Sequence, residues 1–295
     1  MKALILNRPG ELILDDAPVP SPGKNELLIK TKAATICTSD IIDINENPFG
    51  IALPIIMGHE GAGVVAGIGE GVTEFKAGDA VAVHPVMPCG RCASCLRGLG
   101  HLCDEMEHLG FNRGGVFAEY FIVRADRTRL LPKKLSFAQG TLMEPVSVCI
   151  EAVERGNVRE GCNVLVVGDG PFGIMISKLC KRLSPAKIIL SGRRPYRLAR
   201  AGGAVAIDAS QTDVTKAVLD ATDGEGIDSA IVCVNEAGAV DTAMKLLRSR
   251  GTLTMFSGIT GGVPIDLFRL HVKELTVNGC CNEATSSRCQ PRLLR

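Results

Sequence analysis

A strand, a glycine turn and a helix in immediate succession constrain the fold of this chain more than any other feature. Asn163-Val164-Leu165-Val166-Val167 is an unbroken apolar run, Gly168-Asp169-Gly170-Pro171-Phe172-Gly173 follows it, and a helical pattern covers 172–183. Strands that are apolar throughout, rather than alternating, belong to sheets buried on both faces, and such strands are joined by covering helices. The texture continues beyond the turn. Lys187-Ile188-Ile189-Leu190, Ser229 to Val234, Gly251 to Phe256 and Glu274 to Gly279 read as further strands, with a helix at 238–248. The first 145 residues differ. They are rich in Gly and Pro and carry short alternations such as Leu27-Leu28-Ile29-Lys30 and Gly63-Val64-Val65-Ala66, which predict an irregular β-rich unit.

The chain has 295 residues, enough for about two domains. A net charge of +1 with 46% hydrophobic residues excludes a disordered polymer and a strongly basic nucleic-acid binder. The absence of Trp and the presence of only two Tyr weigh against base-stacking surfaces. No apolar run approaches the length of a membrane span. The opening Met1-Lys2-Ala3-Leu4-Ile5-Leu6-Asn7-Arg8-Pro9 is too short for a signal-peptide core, so a cytoplasmic protein with no membrane partner is expected. In such a chain the 12 Cys read as metal ligands, catalytic thiols or small core residues rather than disulfides.

The glycine turn is G-x-G-x-x-G, a weak signal alone and a specific one between a strand and a helix. Gly168 makes the tight turn, Gly170 lets backbone approach a pyrophosphate, and Gly173 permits close helix packing. Pro171 and Phe172 open the helix whose N-terminus receives the phosphate. The same fingerprint requires an acid at the end of the second strand to hold the adenosine ribose. Ser191-Gly192-Arg193-Arg194-Pro195-Tyr196-Arg197 stands there, with Gly192 in the acid's place. With no carboxylate to repel a 2′-phosphate, and with Arg193, Arg194 and Arg197 to bind it, NADP is expected over NAD. The alternative is that these arginines form a solvated face.

Cys89, Cys92, Cys95 and Cys103 form C-x2-C-x2-C-x7-C. Four thiolates this close can complete a tetrahedral zinc shell with no open position, the mark of a structural site. Buried free thiols and a nucleic-acid-binding zinc ribbon are the alternatives, and the neutral net charge weighs against the ribbon.

This cysteine run resembles the structural-zinc lobe of the zinc-dependent medium-chain dehydrogenases, the superfamily of alcohol, polyol and threonine dehydrogenases. Three more segments strengthen the resemblance. Thr35-Ile36-Cys37-Thr38-Ser39-Asp40 and Gly58-His59-Glu60-Gly61-Ala62-Gly63 look like that family's first two catalytic-zinc segments. Leu142-Met143-Glu144-Pro145-Val146-Ser147-Val148 is similar to the third in the polyol and threonine branch. The resemblance implies an α/β protein: a GroES-like catalytic domain over 1–146 with its zinc lobe at about 85–110, a Rossmann doubly wound parallel-sheet domain over 147–281, and an irregular tail over 282–295. It also implies two zinc ions per chain, NADP or NAD, a small alcohol or polyol substrate, and a homo-oligomer, dimer or tetramer.

Each proposed role has a chemical reason. Catalytic zinc needs about three protein ligands and one open position; Cys37, His59 and an acid, Glu144 or Glu60, meet that need. Ser39 resembles the hydroxyl that passes the alcohol proton outward, and Asp40 the partner that fixes the ring N–H of His59. Singly, these residues have bland readings as a core thiol, a satisfied histidine and a helix-start acid; the joint pattern carries the catalytic one. Ile41, Ile42, Pro48 and Phe49 suggest an apolar wall.

The sequence also departs from the family. Many relatives carry a relay His five residues after the Cys, where this chain has Ile42. Relatives usually run some fifty residues further, and 198–208 is short for the usual second helix. The leading expectation is a zinc-dependent NAD(P) alcohol or polyol dehydrogenase, and the rival is a non-catalytic homologue that binds zinc and nucleotide. A zinc-free quinone reductase is a weaker third, since such proteins generally lack the cysteine lobe.

Overall fold

A computed structural model describes residues 1–259 and 261–282. The tail expected over 282–295 lies, apart from Asn282, outside the described residues. The chain divides into two compact units, Met1–Val146 and Ser147–Arg295.

The first unit is built on short antiparallel sheets. Strands β1 (Lys2–Arg8), β2 (Glu11–Asp16), β3 (Glu26–Thr35), β4 (Ile55–Ile56), β5 (Glu60–Ile68), β6 (Ala80–Val83), β7 (Val86–Met87), β8 (Glu107–His108), β9 (Tyr120–Arg124) and β10 (Thr128–Leu130) form three sheets. Their orders are β2-β1-β4, β10-β6-β5-β3-β9 and β7-β8. Period-two burial explains the five-stranded sheet: on β3, Leu27 and Ile29 are buried while Lys30 is exposed. Leu27, Ile29, Val65, Val81, Phe121 and Val123 pack as one core. Gly63 is needed in this sheet because a Cβ there would stand 2.3 Å from the Lys30 carbonyl oxygen of the neighbouring strand. Helices α1 (Thr38–Glu46), α2 (Ala93–Leu96) and α3 (Phe137–Gly140) belong to this unit, and α4 (Met143–Arg155) begins in it and continues into the second.

The second unit is a six-stranded, wholly parallel sheet. Strands β11 (Asn163–Val167), β12 (Lys187–Gly192), β13 (Val205–Asp208), β14 (Ile227–Val232), β15 (Leu247–Met255) and β16 (Thr276–Gly279) lie in the order β13-β12-β11-β14-β15-β16. Strand order reverses between β11 and β14: β12 and β13 add on one side of β11 and β14 to β16 on the other, the doubly wound arrangement of a dinucleotide-binding domain. Its helices are α5 (Pro171–Lys181), α6 (Pro195–Leu198), α7 (Val214–Ala221), α8 (Ala237–Leu246) and α9 (Leu267–Val272). Val164 and Val166 of β11 pack with Ile176 and Cys180 of α5, and Leu165 packs with Val240 and Met244 of α8. Burial on both faces is why this strand reads as continuously apolar.

The strand expected at 163–167 coincides with β11, while 229–234 shifts to 227–232 and β15 begins four residues before the expected 251. Helix α9, strand β13 and helix α7 escaped the sequence reading. Strand β13 lies at the sheet edge with Val205 and Ala206 exposed, so it has no apolar signature, and α7 spans only eight residues. The shortness seen at 198–208 is real: α6 has four residues, and Gly202 and Gly203 follow with φ of 69° and 95°. No helix among the described residues is long and apolar enough to cross a membrane.

Phe121 is 2% exposed at the centre of the first unit's core. Phe121→Ala is expected to lower stability by about 3–5 kcal/mol through lost burial and a residual cavity. Denaturant unfolding measures it; a loss under about 1 kcal/mol would show that this core is not packed as described.

Candidate metal centres and nucleotide cleft

The start of α1 organises the first cluster. Cys37 is its N-cap in extended conformation, and the Cys37 N–H donates to Asp40 Oδ2 at 2.8 Å. The other oxygen of that carboxylate, Oδ1, accepts from Nδ1 of His59 at 3.0 Å. Holding the proton on Nδ1 leaves Nε2 as the ligand nitrogen. His59 precedes β5, next to Gly58, whose φ of 91° and contact with the Phe117 ring (2.4 Å from a built Cβ) leave no room for a side chain. Glu60 begins β5 opposite Thr35, whose hydroxyl donates to Glu60 Oε2.

As a result, one ligand atom from each of Cys37, His59 and Glu60 falls within 4.8 Å of the others. Glu60 is 4% exposed and Asp40 2%. Burial pulls the His59 pKa down, yet hydrogen bonds to Asp40 and Cys37 and the charges of Asp40 and Glu144 outweigh it, and the pKa stands well above its usual value. A site that favours a proton this strongly favours any cation, and a metal ion competes for the same ligands. The donor set of thiolate, imidazole and carboxylate suits zinc with a position left open.

Of the expected site residues, Glu144 is buried and near enough for its charge to act on His59, but it falls outside the group of three. Ser39 is half-buried on α1 beside Asp40. Ile41 and Phe49 are largely exposed, while Phe49 lies 6.1 Å from Phe111. Sequence reasoning missed His108. Its ring lies 5.7 Å from that of His59 and 6.2 Å from that of Phe111, and its Nδ1 donates to the Leu109 carbonyl at 2.7 Å. Burial lowers its pKa to about 4, so the ring is neutral. Its position inside the cysteine lobe gave no sequence signal of this proximity; the β7–β8 pairing, Val86 opposite His108, produces it.

The four cysteines form the second cluster. Cys89 and Cys95 sulfurs lie 4.0 Å apart and those of Cys92 and Cys103 3.8 Å apart. A tetrahedron with zinc–sulfur bonds of about 2.3 Å has edges of about 3.8 Å, so the sulfurs are spaced for that ion. Backbone N–H groups of Arg91 and Cys92 donate to Cys89 Sγ, and chiefly the first lowers that thiol to about 7. Burial first, and neighbouring thiols next, push Cys95 up to about 12, a crowding of sulfur that a divalent cation relieves.

In the second unit a cleft of about 450 Å³ opens at the end of β11 and β12. Gly168, Ser191, Arg193, Arg194 and Arg197 line it. Gly170 caps α5 and Pro171 starts it, while Gly173 packs so closely that a Cβ would lie 1.8 Å from the Gly168 carbonyl oxygen. Phe172 packs on Phe256 at 5.2 Å, so Gly170 to Gly173 shape the turn without forming the cleft wall. One expectation is corrected: carboxylates do stand at this corner. Asp169 and Glu236 both line the cleft, and Glu236 receives both terminal nitrogens of Arg193 at 2.9 and 2.8 Å. Arg197 donates to the Tyr196 hydroxyl.

Comparison with known proteins agrees with these features. Residues 23–133 match the alcohol dehydrogenase GroES-like domain and residues 171–294 the zinc-binding dehydrogenase domain. The chain is 35% identical over 289 residues to an L-threonine 3-dehydrogenase of Pyrococcus horikoshii, covering 95% of this chain and 82% of that protein. It is 33% identical over 262 residues to a sorbitol dehydrogenase of Bacillus subtilis, covering 86% and 74%. A protein of Sinorhizobium meliloti 1021 solved bound to NADP superposes with a TM-score of 0.93 at 27% identity, covering 99% and 86%. This chain belongs to the zinc-binding alcohol dehydrogenase family, and it is an oxidoreductase with a GroES-like and a Rossmann domain.

Asp40→Asn, which removes the charge that orients His59, is expected to weaken zinc at the Cys37–His59 centre by about 10- to 100-fold. Titration against a zinc chelator reads this, with the four-cysteine centre unchanged as internal reference; equal retention at both centres would show that Asp40 does not support the ligand.

Proposed function

We propose that this chain catalyses reversible oxidation of a secondary alcohol or polyol by NAD(P), with NADP favoured. In the forward direction a hydroxyl proton goes to solvent and a carbon-bound hydride to the nicotinamide, leaving a ketone. Gathering of Cys37, His59 and Glu60 within 4.8 Å is the observation that carries this reading, because three mixed ligands leave a tetrahedral ion one position for substrate. Cys37 and His59 hold the catalytic zinc together with Glu60 or Glu144, and Cys89, Cys92, Cys95 and Cys103 hold the structural one. Bound there, zinc supplies Lewis-acid polarisation of the alcohol oxygen.

The chain's own groups do the rest. Asp40 keeps His59 in one tautomer and orientation. Ser39 accepts the substrate hydroxyl proton at Oγ and releases it to water, a short path suited to a chain with Ile42 in place of a relay histidine. His108, neutral and held by the Leu109 carbonyl, adds no charge beside the ligands. The turn Gly168–Gly173 takes the pyrophosphate, and Arg194 and Arg197 the 2′-phosphate. The GroES-like domain is assigned to 1–146 and the nucleotide domain to 147–281. A cytoplasmic homodimer or homotetramer is the assembly that the family suggests. Similarity to sorbitol and threonine dehydrogenases supports a polyol or β-hydroxy amino acid as substrate.

The test uses secondary alcohols, polyols and threonine deuterated at the carbinol carbon, each with NAD⁺ or NADP⁺ and zinc-replete protein. Label is expected on the reduced nicotinamide, and Cys37→Ser is expected to lower the rate by about a thousandfold or more. No transferred label, or a rate unchanged in Cys37→Ser, would overturn the proposal.

A further inference from the structure

We infer that Asp169, inside the glycine turn, is the carboxylate that holds the adenosine ribose and discriminates against a 2′-phosphate. It thereby does the work of the acid missing from the end of β12. The inference rests on the dinucleotide reading of this cleft.

Geometry places the Asp169 side chain where a strand-end side chain would begin. A Cβ built on Gly192 would lie 2.3 Å from both Cβ and Cγ of Asp169 and 2.7 Å from its Oδ2. The two residues are therefore mutually exclusive: with Asp169 present, position 192 must be glycine. The acid has moved from one strand end to the neighbouring turn, and Gly192 is the consequence rather than a loss of function.

Its hydrogen bonds support the assignment. Asp169 Oδ2 accepts the backbone N–H of Arg193 at 3.1 Å and of Arg194 at 2.7 Å. Two consecutive N–H groups at the end of a strand are a natural cradle for a phosphate, and here a carboxylate already fills it. Asp169 is 8% exposed and lines the cleft, and Oδ1 makes no hydrogen bond among the described residues. That oxygen is available to the ribose hydroxyls. A 2′-phosphate at the same point would meet the carboxylate's charge and find both amides taken. It would also find Arg193 already engaged by Glu236, leaving Arg194 and Arg197 to attract it. In the NADP preference proposed above, Arg194 and Arg197 outweigh Asp169, and Asp169 limits the size of that preference.

Calorimetric titration of full-length, zinc-replete protein with NAD⁺ and with NADP⁺ tests this without turnover. Asp169→Asn keeps an acceptor for the two amides and removes the charge. It is expected to shift the ratio of dissociation constants toward NADP⁺ by about tenfold, the scale of one charge-assisted hydrogen bond. The combined change Asp169→Gly with Gly192→Asp removes the Cβ that a side chain at 192 would meet, rebuilds the acid on the strand and is expected to return the ratio to within about threefold of wild type. An unchanged ratio in Asp169→Asn, or a shift toward NAD⁺, would overturn the inference and make Asp169 only the support of the arginine turn. Wild-type protein that binds neither dinucleotide would instead overturn the nucleotide reading itself, and this inference with it.

Discussion

One buried carboxylate ties the first cluster together. Asp40 spends one oxygen on the N–H of Cys37 and the other on Nδ1 of His59, so the thiol at the start of α1 and the imidazole nineteen positions beyond Asp40 are set by the same group. At 2% exposure an ionised side chain is tolerated only with its lone pairs used. The carboxylate therefore needs both partners, and both partners need it. Any displacement of α1 relative to β5 would strand a charge.

The two units obtain order by different means. In the second, apolar strands covered by helices on both faces supply ordinary hydrophobic stability, and Gly173 lets the turn after β11 close on itself. Between β7 and β8 the cysteine lobe of the first unit has little apolar surface to bury: Leu96 and Leu102 are exposed, and its regular structure is one short helix and one 3₁₀ turn. The zinc ion proposed for the four thiols at tetrahedral spacing would make up the deficit, since a structural zinc contributes folding free energy directly.

Much of this was legible in the sequence, and the reasons are physical. Local spacing encodes local geometry, so the four cysteines, the glycine turn and β11 could be read directly. The pairing of His59 with Asp40 was also expected. Three features were not legible because non-local pairing creates them. Glu60 rather than Glu144 joins the compact group because β5 pairs with β3 at Thr35. His108 approaches His59 because the two-residue pairing of β7 with β8 brings the far end of the lobe back. Asp169 occupies the space of a Gly192 side chain because β11 and β12 run side by side. A residue in a motif's variable position carries no spacing signal. Its meaning depends on what the neighbouring strand leaves open.

The claim on which the account stands is that the chain holds two zinc ions of different kinds. Elemental analysis of purified wild-type protein and of Cys37→Ser, before and after brief exposure to a mild chelator, measures it most directly. The account predicts two zinc ions per wild-type chain with one removed readily, and one firmly held zinc in Cys37→Ser. A single zinc in the wild type that is equally present in Cys37→Ser would contradict it, leaving the cysteine lobe filled and no catalytic metal at His59.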